Sequence, residues 1–262
     1  MDPHSTPPRK KQATDESSWQ ELSSVVSCTR KIHDCLDDSI EKTEVEIEKV
    51  MKPSPWTKKN TEICRAMSGV LSTEECHAIM DRSETMGFKP ALFNEIYQPN
   101  ARKSDRVMVD DPKFAASLYE RLQGALPQSK REGGIKYVAT GLNERMRILR
   151  YKEGHAFPAH HDGRYQRSDG SEVSFYTIII YLNEDFAGGN TVLFPDSRFR
   201  TDKESISITP KRGLVLCFDH YVEHEGAFLK EGVKYAIRTD LMFTETQIDE
   251  DQKLKNSSNE RA

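Results

Sequence analysis

The sequence has little of what marks a membrane-bound, secreted or nucleic-acid-binding protein. Its longest apolar run, Phe175 to Leu182, is far short of the ~20 residues a membrane-spanning helix needs, so no membrane partner is expected. The first twenty residues, MDPHSTPPRKKQATDESSWQ, lack the apolar core of ~7–15 residues of a secretory leader. That predicts an intracellular chain, cytoplasmic with the nucleus as the alternative. Cys28, Cys35, Cys64, Cys76 and Cys217 are scattered, odd in number and form no CxxC pair, which excludes a disulfide framework and a thiolate zinc site. Neither charge dominates: 38 basic residues against 42 acidic ones leave a net charge of −4. The one basic block, Arg9 to Lys11, is too short for a nucleic-acid footprint, and no internal repeat is evident.

What is present is a polar chain of 262 residues, 36% hydrophobic and 31% charged, with a mean hydropathy of −0.71. One domain diluted by polar ends accounts for that composition. The expected division is a disordered or partly helical extension over residues 1–55, a domain over 56–245 and a disordered tail over 246–262. Within the extension, Trp19, Leu22, Val26, Ile32, Leu36, Ile40, Val45 and Val50 recur at helix-like intervals, reading as a helix or a partner-binding segment. Lys52-Pro53-Ser54-Pro55 breaks it.

Ser72-Thr73-Glu74-Glu75 is a capping box, so a helix should begin there. Asp111-Pro112 opens a second, with Phe114, Leu118 and Leu122 on one face. The segment Asn100–Arg106 between them reads as a polar loop, with Arg102 and Arg106 weighed as substrate contacts against a plain solvated loop. From Met146 onward the pattern changes to short β-rich runs: Met146–Tyr151, Ser174–Leu182, Asn190–Phe194, Ser205–Thr209, Gly213–Phe218 and Lys234–Phe243. Helices followed by many strands predict an α+β chain ending in a β-sandwich or barrel. Gly188-Gly189 fits a tight turn needing positive φ.

Five of the eight histidines lie in this β half. On a strand His160 and Asp162 share a face while His161 points away. Adding His224 completes two imidazoles and one carboxylate, the facial ligand set that leaves positions open on an octahedral Fe(II). His220, four residues earlier, is the rival for the distal position. His155 and His161 read as surface or turn residues. Lys234 and Arg238 fall on one face of an apolar strand, a costly placement unless they meet an anion; a chelating dicarboxylate would supply one. The competing reading is a solvated edge with cationic gatekeepers. Thr191 reads equally as pocket-facing or as strand packing, and of Arg147 and Arg150, on opposite faces, one should line a groove.

From about Val70 to Phe243 the chain resembles the catalytic domain of the prolyl 4-hydroxylase-like Fe(II)/2-oxoglutarate dioxygenases. The resemblance rests on LSTEEC before a helix, GLNERMRILRYKEG, HHD, YLNEDFAGGNTVLF, ITPKRGLVLCF, HEG and GVKYAIRTDLMF, in the family's order and spacing. It implies an α+β fold, a double-stranded β-helix or jelly roll with supporting N-terminal helices. It also implies a reaction in which 2-oxoglutarate is decarboxylated to succinate and CO₂ while a C–H bond is hydroxylated. It makes His160, Asp162 and His224 the catalytic iron ligands, the ten-residue interval to Lys234 favouring His224 over His220. Lys234 becomes the partner of the far carboxylate of 2-oxoglutarate, with Tyr151 and Tyr181 in the cosubstrate pocket and Arg238 as a secondary contact. The implied cofactors are Fe(II), 2-oxoglutarate as cosubstrate, O₂ and L-ascorbate. The expected partner is a protein or peptide substrate, most naturally prolyl. The alternatives are hydroxylation of another amino acid or a small molecule, a silent jelly-roll binding module, and a zinc hydrolase on the same three residues.

Overall fold

The computed structural model describes residues 31–37, 46–48, 64–91, 103–194 and 205–246. The Lys52–Pro55 break, Arg102, most of the Ser17–Met51 segment and the tail after Thr246 lie outside them. The chain divides after Lys31, and the unit beginning at Ile32 carries the fold. Its strands in chain order are β1 (Glu46–Glu48), β2 (Cys64–Ser68), β3 (Lys89–Pro90), β4 (Asp105–Asp110), β5 (Ser129–Glu132), β6 (Ile135–Leu142), β7 (Arg145–Lys152) and β8 (Phe157–His160). There follow β9 (Val173–Tyr181), β10 (Phe186–Gly188), β11 (Thr191–Phe194), β12 (Ile206–Ile208), β13 (Val215–Asp219), β14 (Glu223–Gly226) and β15 (Leu229–Glu245). Two helices, α1 (Thr73–Met86) and α2 (Pro112–Leu122), precede the main β region.

Two antiparallel sheets result. The large one runs β1-β2-β13-β9-β15-β7-β4-β3, with β10 and β6 also pairing with β15 and β5 with β6; the small one runs β12-β11-β14-β8. This is the predicted jelly roll with supporting helices. Strand parity assigns the faces. Met146 and Ile148 of β7, Ile178 and Ile180 of β9, Val215 and Cys217 of β13, and Ile237 and Leu241 of β15 pack with Phe114, Leu118 and Leu122 in one core. The opposite parity, Arg147, Leu149 and Tyr151 on β7 and Lys234, Ala236 and Arg238 on β15, lines a cavity instead.

Both helices start where the sequence predicts. Ser72 Oγ accepts from the Glu75 amide at 3.1 Å and Glu75 Oε2 accepts from the Ser72 amide at 2.9 Å. Glu75 is itself buried and binds Arg121 of α2 through two 2.9 Å hydrogen bonds, joining the helices. Asp111 caps α2 by accepting from the Phe114 amide at 3.1 Å. The same carboxylate accepts from the Ile32 amide at 2.8 Å and the His33 amide at 3.0 Å. These bonds seat Ile32 in the core, and the described parts of the upstream segment form a 3₁₀ turn (His33–Cys35) and β1 rather than a helix.

The expected loop Asn100–Arg106 is likewise corrected: Asp105 onward is β4, paired with β7 from Asp105↔Arg150 to Asp110↔Arg145. Its apolar stretch is only Val107-Met108-Val109, too short beside Asp105, Arg106 and Asp110 to announce a strand. Cys35, Cys64, Cys76 and Cys217 are free thiols. No helix among the described residues is long and apolar enough to cross a membrane.

Candidate active site

The site lies between the two sheets. The small sheet brings two histidines together, because His224 on β14 is the register partner of His160 on β8 and their ring centroids are 4.2 Å apart. Asp162, two residues beyond β8, reaches the same point: Oδ1 is 3.9 Å from His160 Nε2 and Oδ2 is 3.6 Å from His224 Nε2. One donor atom from each of the three lies within 4.8 Å of the others.

Local geometry aims these donors. His160 Nδ1 lies 2.8 Å from the Pro158 carbonyl and His224 Nδ1 lies 3.0 Å from the Val222 carbonyl. A carbonyl oxygen only accepts, so each Nδ1 must carry the proton and each Nε2 presents its lone pair to the shared centre. Burial pushes the His224 imidazole toward neutrality, against the pull of Asp162. Burial alone would raise the Asp162 carboxyl, but Arg238 and the Thr177 hydroxyl hold it well below the usual carboxylate range. Two neutral imidazoles and an ionised carboxylate at one point are a divalent-cation donor set.

The cavity beside them has a volume of about 420 Å³. Its floor is the β7–β15 pair, where Tyr151 faces Lys234, Leu149 faces Ala236 and Arg147 faces Arg238. Lys234 is buried, and Nζ donates to the Gly189 carbonyl at 2.5 Å while standing 5.5 Å from the Tyr151 ring and 5.2 Å from the Tyr181 ring. Gly189 must be glycine here: its φ is +67°, and an added Cβ would lie 2.8 Å from Leu229 Cδ1. No carboxylate pairs with Lys234 among the described residues, and burial draws its ammonium down to about 7.

Arg238 has different company. Nη2 is 3.1 Å from Asp162 Oδ1 and 3.1 Å from Asp240 Oδ1, and Thr177 Oγ1 donates to Asp162 Oδ2 at 2.5 Å. The two oxygens of Asp162 are therefore each held from behind. Tyr151 lines the cavity, whereas the Tyr181 side chain is fully buried and its hydroxyl donates to Thr191 Oγ1 at 2.6 Å. Thr191 is the group that reaches the cavity wall. His220 is not with the other histidines; its Nε2 is 3.5 Å from Asp240 Oδ1. His161 Nδ1 contacts the Tyr221 carbonyl at 3.1 Å, and His155 lies in the turn after β7. Arg147 is the groove-lining member of its pair, while Arg150 binds Glu84 and Asp105. Arg106 also reaches the cavity. Sequence reasoning missed Thr177 and Asp240, although strand parity with Ile179 and Arg238 puts both on this side.

Residues 146–239, which include His160, Asp162, His224 and the floor from Arg147 to Arg238, match the family model of the 2OG-Fe(II) oxygenase superfamily. Among curated proteins, the chain is similar to the probable prolyl 4-hydroxylase 11 of Arabidopsis thaliana, at 30% identity over 147 residues. That stretch covers 56% of this chain and 49% of the plant protein, so the chain spans about half the length of the curated relative it matches. Among solved structures it is similar to a Trichoplax adhaerens prolyl hydroxylase in complex with a hypoxia inducible factor oxygen degradation domain peptide fragment. The identity is 18%, the coverage 70% of this chain and 84% of that one, and the TM-score 0.50. A viral collagen prolyl hydroxylase from Paramecium Bursaria Chlorella virus-1 is also 18% identical, with coverage of 70% and 96% and a TM-score of 0.46. At 18% identity the Trichoplax likeness speaks to the fold alone.

Proposed function

We propose that this chain is an Fe(II)- and 2-oxoglutarate-dependent dioxygenase that hydroxylates a residue of a protein or peptide, with prolyl as the first target. The observation that carries this reading is the convergence of His160, Asp162 and His224 within 4.8 Å at a cavity whose wall also holds the unpaired ammonium of Lys234. The donor set fits the ion. The two Nε2 atoms and one Asp162 oxygen would hold Fe(II) on one face, leaving the other open to the cavity. Bound there, iron with 2-oxoglutarate and O₂ supplies the oxidative step that yields succinate, CO₂ and a hydroxylated C–H bond.

The rest is the work of the chain. Lys234 would take the far carboxylate of 2-oxoglutarate as a charge-assisted bond, trading its contact with the Gly189 carbonyl for an anion. Tyr151 walls the same end, and Tyr181 acts through Thr191 by fixing its hydroxyl. Leu149, Ile179 and Ala236 exclude water between the two ends. Arg238 and Thr177 lock the orientation of Asp162. L-ascorbate belongs to this reading as the reductant that maintains Fe(II).

The test is succinate release from 2-oxoglutarate with Fe(II) and ascorbate over a library of prolyl peptides. Mass spectrometry then looks for gain of one oxygen, with His160→Ala and Lys234→Ala as controls. Cosubstrate-dependent oxygen gain that both variants abolish is the expected outcome. Absence of succinate with every peptide, together with equal 2-oxoglutarate binding by metal-free and metal-loaded protein, sinks the reading.

A further inference from the structure

The cavity has a cationic side chain at each end. Its wall carries Arg106, Arg147, Lys234 and Arg238 against the acidic Asp162 and Glu225. Lys234 and Arg238 are four residues apart on β15, and with a rise of ~3.3 Å per residue the two ends of the floor are separated by about 13 Å. The dicarboxylate cosubstrate of the proposed function needs the Lys234 end only. At the other end Arg238 is committed to Asp162 and Asp240 at 3.1 Å each.

Arg147, directly across the ladder from Arg238, is not so committed. Its Nη1 is buried, lines no hydrogen bond among the described residues, and approaches Asp240 Oδ2 only at 3.5 Å. Asp240 already serves Arg238 and stands 3.5 Å from His220 Nε2, so one carboxylate is shared among three groups. A guanidinium that lines the cavity and shares its one close carboxylate with two other groups keeps donors for a ligand oxygen. Burial and the neighbouring Arg238 both weaken the hold of Arg147 on its proton, against the pull of Asp240 and Asp162.

We propose that Arg147 is the substrate-reading residue and that the substrate carries a carboxylate, which bonds to the Arg147 guanidinium at the end of the cavity opposite Lys234. This rests on the dioxygenase reading for the word substrate, but the anion site itself does not. A guanidinium matches a carboxylate through two parallel N–H donors, so a neutral amide at the same place is a poorer ligand. The carboxylate comes either from an Asp or Glu side chain in a peptide or from a free amino or small organic acid. The chemistry at Arg147 is the same.

The test separates the site from the reaction. Protein loaded with Mn(II) and saturating 2-oxoglutarate under argon is titrated with ¹³C-acetate, with acetamide as the neutral control, and read by NMR line width. Expected are saturable acetate binding, none by acetamide, an acetate Kd raised at least tenfold in Arg147→Met, and an intermediate value in Arg147→Lys. Circular dichroism melts and 2-oxoglutarate affinity report whether each variant is folded. Displacement of acetate by Asp- or Glu-containing peptides and not by their Asn or Gln versions assigns the carboxylate to a side chain. Displacement by free amino acids assigns it to a small acid. Once a substrate is in hand, Arg147→Met should raise KM far more than it lowers kcat. No saturable acetate binding, an unchanged Kd in folded Arg147→Met, or equal displacement by acidic and amide peptides overturns the proposal. Failure of the dioxygenase reading looks different: the acetate site persists while no succinate forms.

Discussion

The two ends of the cavity floor hold cations on the same strand, four residues apart, in opposite electrostatic states. Arg238 is buried with two carboxylates within 3.1 Å, and although burial would weaken it, Asp162 and Asp240 make it a stronger base than a free arginine. Lys234 is buried with a carbonyl and two aromatic rings, and burial draws its ammonium down to about 7. A buried cation with its counter-ions present is part of the folded framework. A buried cation without them is a binding site held at a cost to the folded chain.

The sharpest way to break this contrast is to neutralise each cation with an isosteric apolar side chain. Arg238→Met should lower stability by about 3–5 kcal/mol, since it takes from two buried carboxylates the cation nearest to each. Lys234→Met should do the reverse in ligand-free protein at pH 6–7, raising stability by about 2 kcal/mol because an uncompensated buried charge is removed. Urea denaturation reads both. Equal destabilisation by the two variants would mean that Lys234 is a framework residue as well.

A smaller effect is expected one bond further out. Thr177→Val removes the hydroxyl that holds Asp162 Oδ2 while keeping the side-chain shape, and should weaken divalent-metal binding about 10–100-fold, measured by competition with a chelating dye. An unchanged affinity would leave Arg238 as the sole orienting partner of Asp162.

The Lys234 end should also respond to pH. The folded state holds this ammonium at about 7, below its ordinary 10.5, so between these values the unfolded chain binds the extra proton. Stability of ligand-free protein contributed by this group therefore increases as pH rises through 7 toward 10.5, and the difference between wild type and Lys234→Met should shrink over that window. An anion needs the charged form, so 2-oxoglutarate affinity should fall by about tenfold per pH unit above 7. A flat profile from pH 7 to 9 would show that Lys234 stays charged without its ligand.

Much of this was legible in the sequence because the relevant rules are local. The capping box at Ser72, the Asp111-Pro112 start, the parity of His160 with Asp162 and that of Lys234 with Arg238 all follow from helix and strand geometry. What escaped was non-local. Nothing near Asp105 announces that β4 will pair with β7, because its charges are satisfied by Arg145, Arg150 and Lys152 from the neighbouring strand. Nothing near Ile32 says that its amide will find Asp111, 79 residues away. Arg238 read as a cosubstrate contact, yet its nearest acids are Asp162 and Asp240, a pairing that appears only when β9, β15 and the end of β8 are brought together. Tyr181 read as a pocket residue, and its hydroxyl turned out to serve Thr191.

Among the described residues, β8 is the outermost strand of the small sheet and has β14 as its one partner there. Outer strands are the first parts of a sheet to open. His160 rides on this strand and His224 on its neighbour, so an ion held by both would clasp the outer seam of the sheet. Its removal would register first as faster amide exchange along Phe157–His160, long before the core behind β9 and β15 loosened.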